Sequence, residues 1–469
     1  MLEQVRVEDY AAEGKSIAKL DGKVIFIADA VPGDLVDVRL GKNKKEWAEG
    51  RAIRHHQYSE DRTAPFCMHF GVCGGCQWQM LPYEKQLQYK EKQVVETLQR
   101  IGKITLQGLE PIMGAPQQRY YRNKMEYTFG SRRFLQPEEL ADPAILSEQP
   151  VAGFHARGIF DKIVDIQQCH LQEEPTNALR LAARNYALEQ GFSFYDIRKH
   201  EGFMRNMQLR ICRTGEVMVN MVFGSDDEAA RSGLLQHLLD RFPQITTLLY
   251  TINRKWNDSL HDQEPVVVHG KGYVIETLED FRFKIGPKSF FQTNTAQAEQ
   301  LYRRVREFAG LSGNEIVYDL YCGTGSIGIF CSRQARKIIG VEMIAEAIED
   351  ARENALLNQI GHAEFFAGDV ATVCTDEFFQ SHGNPDVIIT DPPRAGMHET
   401  LVSQILAMEA PVVVYVSCNP ATQARDLNLL SEKYQVERVL PVDMFPHTLH
   451  IETIVKLRLN RQAGISNSQ

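Results

Sequence analysis

The chain has 469 residues, 43% hydrophobic and 24% charged, with a net charge of −9 at pH 7. That is ordinary globular composition, too long for one core, so roughly two or three domains are expected. No run of about 18 apolar residues occurs, which excludes helical membrane spans. Nine cysteines with no basic-then-apolar leader ahead of them point to the cytoplasm and away from a disulfide framework.

Residues 1–60 read as short strands ("VRVEDYA", "KSIAKLDG", "KVIFIADA", "DLVDVRLG", "WAEGRAIRHH") with bends at Gly14, Asp21-Gly22, Pro32-Gly33 and Gly41. Strand length and spacing predict a small five-stranded β-barrel, an architecture that often binds oligonucleotides. The overall charge is acidic, but Arg39, Lys42, Lys44, Lys45, Arg51 and Arg54 outweigh Glu46 and Glu49 locally. The stretch "CMHFGVCGGCQWQ" follows, then a charged helical run, "PYEKQLQYKEKQVVETLQRIG", whose Val94, Val95 and Leu98 can share one face.

Residues 61–285 have the alternation of an α+β domain, with helices near 175–190 and 227–240. Arg119, Arg122, Lys124, Arg132 and Arg133 stand here among Tyr120, Tyr121, Tyr127 and Phe129. Basic groups neutralise phosphates and aromatic faces stack on bases, so this cluster is a candidate RNA surface; a solvated strand face is the alternative.

From residue 286 to 469 strands and helices alternate: "EIVYDLYC", "KIIGVEM", "AEFFAGD", "PDVIITDPP" and "VVVYVSCNP" are apolar strands separated by helical runs. The expectation is a doubly wound, Rossmann-like parallel sheet whose ligand lies beyond the carboxyl ends of its strands. The fold class is thus α/β, with a barrel before a central α+β domain and the nucleotide-binding domain last. The polar tail "NRQAGISNSQ" is expected to be disordered.

"DLYCGTGSIG" carries Gly323, Gly325 and Gly328, and Glu342 ends the next strand, placed to accept hydrogen bonds from ribose hydroxyls. Spacing alone leaves a nicotinamide and an S-adenosylmethionine cofactor both open. "DVIITDPPRAG" resembles the Asp-Pro-Pro element of methyltransferases acting on nucleobases. An aromatic residue usually follows the prolines in amino-group methyltransferases; here Arg394 does, and a thiol, Cys418, ends the next strand in "SCNP".

Together, "CMHFGVCGGCQWQ", "SFFQTN", "DLYCGTGSIG", "DPPRAG", "SCNP" and "DMFPHTLHIET" resemble the RNA uracil-5 methyltransferase family over nearly the whole chain. The resemblance makes the barrel a TRAM domain, Cys418 the nucleophile and Glu452 the base. It places Gln292, Tyr321, Ser326, Glu342, Asp369 and Asp391 around S-adenosylmethionine, and Cys67, Cys73, Cys76 and Cys169 on a 4Fe-4S cluster rather than zinc. A TRAM barrel with an iron–sulfur motif is most like the branch acting on 23S ribosomal RNA. Transfer RNA remains an alternative target, and a non-catalytic RNA-binding or chaperone protein an alternative class. A monomer is the default expectation.

Carbon 5 of uracil is too weak a nucleophile to take a methyl group unaided. A thiolate adding at carbon 6 makes it an enolate, and a carboxylate later removes the carbon 5 proton so that the thiol can leave. A free cysteine, with a pKa of about 8.5, is only a few per cent thiolate at pH 7. The helix beginning "NPATQ" is therefore expected to aid Cys418 through its amino-terminal dipole. His447 and His450 are read as packing or loop-ordering residues, and Cys212, Cys322, Cys331 and Cys374 as core.

Overall fold

The computed structural model describes residues 1–11 and 14–460. Its first sheet contains Leu2–Arg6, Asp9–Tyr10, Ser16–Leu20, Lys23–Ala28, Leu35–Asn43 and Trp47–Gln57. Leu2–Arg6 pairs with Leu35–Asn43, and its continuation Asp9–Tyr10 pairs with Ser16–Leu20. Val7 N–H donates to Asp34 O and Glu8 N–H to Ile17 O at the bend between them. One bent strand thus serves both edges and closes the sheet into the expected barrel. Val5, Ile25, Ile27, Val36 and Val38 fill it.

The central sheet runs, in spatial order, Val266–His269, Ile245–Ile252, Val217–Phe223, Met204–Ile211, Lys124–Gly130, Val151–His155 and Ile163–Asp165. Helices Thr176–Glu189 and Glu228–Arg241 pack Leu179, Ala183, Leu234 and Leu238 into its core. The basic–aromatic cluster divides along this sheet. Strand alternation turns Tyr127 and Phe129 wholly inward, and Arg132 and Arg133 pair with Asp196 and Glu139. Arg119 and Tyr120 remain exposed, so only the first part of the cluster is a surface.

The third large sheet has the order Ala363–Ala367, Lys337–Glu342, Ile316–Leu320, Val387–Thr390, Val412–Ser417, Glu452–Leu459 and Tyr434–Val442. Its first five members are parallel, as the alternating pattern predicts. Glu452–Leu459 runs antiparallel to both neighbours, a reversal that apolar periodicity does not reveal.

Two earlier segments complete this layer. The hairpin Val274–Leu278/Phe281–Ile285 shares a core with Phe308 and Phe330. The helix Tyr83–Arg100 lays Val94 and Leu98 against Val413, Leu427 and Val439. Its buried stripe also carries Gln86 and Lys90, polar residues that helical periodicity in apolar positions cannot assign. Lys90 Nζ donates to Asp443 at 2.7 Å, with both side chains fully buried. Among the described residues, no helix is long and apolar enough to cross a membrane. The polar tail beyond Asn460 lies outside the described residues.

Candidate active site

The carboxyl edge of the third sheet gathers the chemistry. Ser417 pairs with Thr453, so the next residues outward, Cys418 and Glu452, fall opposite one another. Leu320 pairs with Thr390, which sets Tyr321 beside Asp391. An antiparallel last strand is what allows its first residue, Glu452, to stand at the edge where the parallel strands end. Cys418 is half-buried and Glu452 is 7% exposed.

Burial pushes the Cys418 thiol up to about 11; the Glu452 and Asp391 carboxylates add to this and Arg394 opposes it. Burial, with Asp391 adding, raises the Glu452 carboxyl well above the usual range, again against Arg394. Burial alone takes Asp391 to about 7. Asp319 also reaches about 7, through burial and then Asp391 and Glu342, although Gly328 N–H donates to it at 2.8 Å. At neutral pH Cys418 therefore keeps its proton in this state. The helix Pro420–Leu430 does begin just after Cys418, yet burial and two carboxylates outweigh the aid expected from its amino terminus.

That helix instead fixes the loop after Asp391. Asn419 caps it by accepting from Ala421 N–H at 3.1 Å. Asn419 Nδ2 and Thr422 Oγ1 both donate to the Arg394 carbonyl, at 3.0 and 3.2 Å. Arg425 donates to the carbonyls of Ala395 and Met397, while Asp426 accepts from Met397 N–H and the Tyr415 hydroxyl. "DPPRAG" and "SCNP" are thus one clamped unit.

Glu342, Tyr321 and Asp369, three of the residues that the resemblance places around the cofactor, end or follow strands along the same edge. Glu342 accepts from Gly323 N–H at 3.2 Å through one oxygen and from Ile344 N–H at 3.0 Å through the other. Gly323 has φ +53° and open space where a Cβ would stand, the geometry of a turn that can approach a ligand closely. Tyr321, at φ +61°, has its hydroxyl pKa raised by burial and by Asp369. Asp369 Oδ1 accepts from Ala371 N–H at 2.7 Å. The Ser326 and Tyr302 hydroxyls are 3.0 Å apart, and the Gln292 carbonyl accepts from Asn123 Nδ2 at 2.9 Å.

Among the described residues, none of Asp319, Glu342, Asp391 and Glu452 lies in an ion pair. Asp319 Oδ1 is buried without any hydrogen-bond partner. An edge rich in uncompensated acids fits a ligand carrying both an ammonium and a sulfonium, and Glu342 beside the glycine turn fits its ribose. Asp319 and Arg394 were not assigned from sequence. An acid inside the otherwise apolar "EIVYDLYC" was the available signal for the first.

The first histidine of "DMFPHTLHIET" orders the neighbouring loop. His447, at φ +67°, donates its N–H to Gln86 Oε1 at 2.9 Å. Its carbonyl accepts from Gln77 and Trp78 N–H, tying the motif to the cysteine-rich segment. Burial lowers the His447 imidazole to about 4.

Cys67, Cys73, Cys76 and Cys169 line one cavity of about 150 Å³, together with Phe66 and Arg122. Burial and neighbouring thiols push Cys73 and Cys169 to about 11 and Cys76 to about 12. Such thiols become thiolates only around a cationic centre. No three His, Cys, Asp or Glu among the described residues form a single-ion site. Four thiols lining one cavity are a donor set of the kind that ligates zinc or an iron–sulfur centre.

The strand order, with its antiparallel last strand and acidic residues at the carboxyl edge, defines the class as an S-adenosylmethionine-dependent methyltransferase fold. The family model described as tRNA (Uracil-5-)-methyltransferase matches residues 261–460, and a TRAM domain model matches residues 3–53. An uncharacterized RNA methyltransferase of Bacteroides thetaiotaomicron is 51% identical, covering 96% of this chain and 100% of its own. One from Porphyromonas gingivalis is 49% identical over 98% and 100%. The crystal structure of the Pyrococcus abyssi tRNA (uracil-54, C5)-methyltransferase in complex with S-adenosyl-L-homocysteine superposes with a TM-score of 0.74 at 29% identity, covering 97% of this chain and all of that one. The chain belongs to the RNA uracil-5 methyltransferase family and is an RNA methyltransferase.

Proposed function

We propose that the protein methylates carbon 5 of a specific uridine in RNA through a covalent bond between Cys418 and carbon 6. The observation that carries this is Cys418 opposite Glu452 at the edge where Glu342 and Asp391 also stand. Bound S-adenosylmethionine supplies the methyl group from its sulfonium. Cys418, half-buried and in reach of water, gives up its proton to solvent and its sulfur bonds carbon 6, leaving the ring an enolate whose carbon 5 takes the methyl. Glu452 then removes the carbon 5 proton; the electron pair restores the ring double bond and the carbon–sulfur bond breaks. The target base must be unstacked to reach this edge.

In this reading residues 1–60 bind RNA, residues 61–285 hold the cysteine centre, and residues 286–469 carry out catalysis. Cys67, Cys73, Cys76 and Cys169 would ligate a 4Fe-4S cluster, a structural centre since methyl transfer needs no electron. Ribosomal RNA is the leading target, because a TRAM barrel together with an iron–sulfur motif resembles that branch. Transfer RNA is the second reading, favoured by the whole-chain likeness to the Pyrococcus enzyme.

RNA containing 5-fluorouridine tests the mechanism, because fluorine cannot leave as a proton. The wild-type protein is expected to form a denaturation-stable adduct and Cys418→Ala none. An adduct of equal yield with Cys418→Ala would exclude the mechanism. Mapping 5-methyluridine in ribosomal and transfer RNA, with and without the gene, decides the target.

A further inference from the structure

At the end of the central sheet where strand Met204–Ile211 begins, two large aromatic side chains stand in solvent: Phe160 is 65% exposed and Trp256 76%. Each lies against a side chain of the turn Asp196–Glu201. The Arg198 guanidinium sits 5.8 Å from the Phe160 ring centre. The His200 ring stacks on Trp256 at 4.7 Å and 7°. Lys199, exposed, lies between Arg198 and His200 in the chain.

The arrangement is held by buried polar groups. Asp196 accepts from the N–H of Arg198 and Lys199, at 2.9 and 3.2 Å, and its own N–H donates to Glu201 O at 2.7 Å. Arg205, 1% exposed, donates to the carbonyls of Asn253, Lys255 and Asn257 at 2.7–2.8 Å and to Asp258 at 3.0 Å. That guanidinium fixes the loop bearing Trp256. Acids are present too: Arg198 pairs with Asp161 at 2.6 Å, Lys199 lies 3.8 Å from Glu201, and Lys255 pairs with Asp262. Arg254 is exposed and has no acid partner among the described residues.

We infer that Phe160 and Trp256 form a platform on which two bases of single-stranded RNA stack, with Lys199 and Arg254 meeting the backbone. Base stacking tolerates any sequence and needs a flat, rigid, solvent-facing ring beside cations; the two backed rings are of that kind. A protein partner would call for a contiguous apolar patch, whereas polar and charged residues surround these rings. Strand Met204–Ile211 separates the platform from Asn123, which contacts the Gln292–Thr295 segment. At about 3.3 Å per residue, its eight residues set the platform roughly 25 Å from that contact. It would therefore engage RNA flanking the target rather than the target itself, and it rests on RNA being the substrate.

The full-length protein is titrated with a fluorescein-labelled oligouridylate of about twelve residues and with a blunt RNA duplex of equal length. Trp256→Ala and Phe160→Ala are each expected to weaken oligouridylate binding about ten- to a hundredfold, with Trp256→Phe close to wild type. Lys199→Ala with Arg254→Ala should flatten the salt dependence. Intrinsic fluorescence gives a second readout: Trp78 is buried, Trp47 is half-buried on the barrel and Trp256 is exposed, so in a Trp47→Phe background the oligomer should quench the protein that keeps Trp256 and not the one that also carries Trp256→Phe. Binding by Trp256→Ala and Phe160→Ala within twofold of wild type, or equal quenching by the duplex, overturns the platform. Adduct formation on 5-fluorouridine RNA by wild type is scored separately. Its failure would remove the carbon 5 reading and leave the platform standing.

Discussion

The reactivity of Cys418 gives the sharpest test of the site's electrostatics. Its thiol is moved from about 9 to about 11, which lowers the thiolate fraction at pH 7 about a hundredfold. Iodoacetamide alkylation of the full-length protein, followed by peptide mass spectrometry, should label Cys418 about a hundredfold more slowly than an unperturbed thiol at that pH. The rate should climb about tenfold per pH unit from pH 7 to about 9.5, without levelling. Glu452→Gln removes one of the two carboxylates that raise the thiol, so its labelling at pH 8 should be faster than wild type. Arg394→Ala removes the opposing charge and should be slower. A plateau below about pH 9, or slower labelling in Glu452→Gln, would refute the electrostatic account.

Other outcomes follow from the same geometry. In the proposed reading the Asp391 carboxyl, raised by burial, ionises to meet the cationic cofactor, so S-adenosylmethionine affinity should rise from pH 6 to 8 with proton release. Calorimetry in two buffers of different ionisation heat reads both effects, and Asp391→Asn should flatten the rise. Lys90→Met leaves Asp443 charged and buried, a loss of about 3–5 kcal/mol; Lys90→Met with Asp443→Leu should recover much of it in urea unfolding. The proposed cluster predicts iron and visible sulfur-to-iron absorption in wild-type protein prepared without oxygen, and the loss of both in Cys76→Ser.

The barrel and the doubly wound sheet were legible because their signals are local: turn residues at short intervals, and apolar strands alternating with helices. The carboxyl-edge positions of Glu342, Asp391 and Cys418 followed from that alternation. Glu452 did not, since only pairing shows that its strand runs backwards. Tyr127 and Phe129 looked like base-stacking groups beside arginines until the sheet turned them inward. The role of Lys90 was invisible for another reason: an isolated lysine in a charged helix reads as solvated, and its partner lies 353 residues away.

That separation has a consequence during synthesis. At about 5–20 residues per second, roughly 20–70 s pass between the making of Lys90 and that of Asp443. Throughout that interval Val94 and Leu98, on the same helical stripe, lack the sheet that covers them in the finished protein. The nascent amino-terminal half must therefore wait on the ribosome with an apolar seam open until Val413, Leu427 and Val439 cover it, and only then does the last strand deliver Glu452.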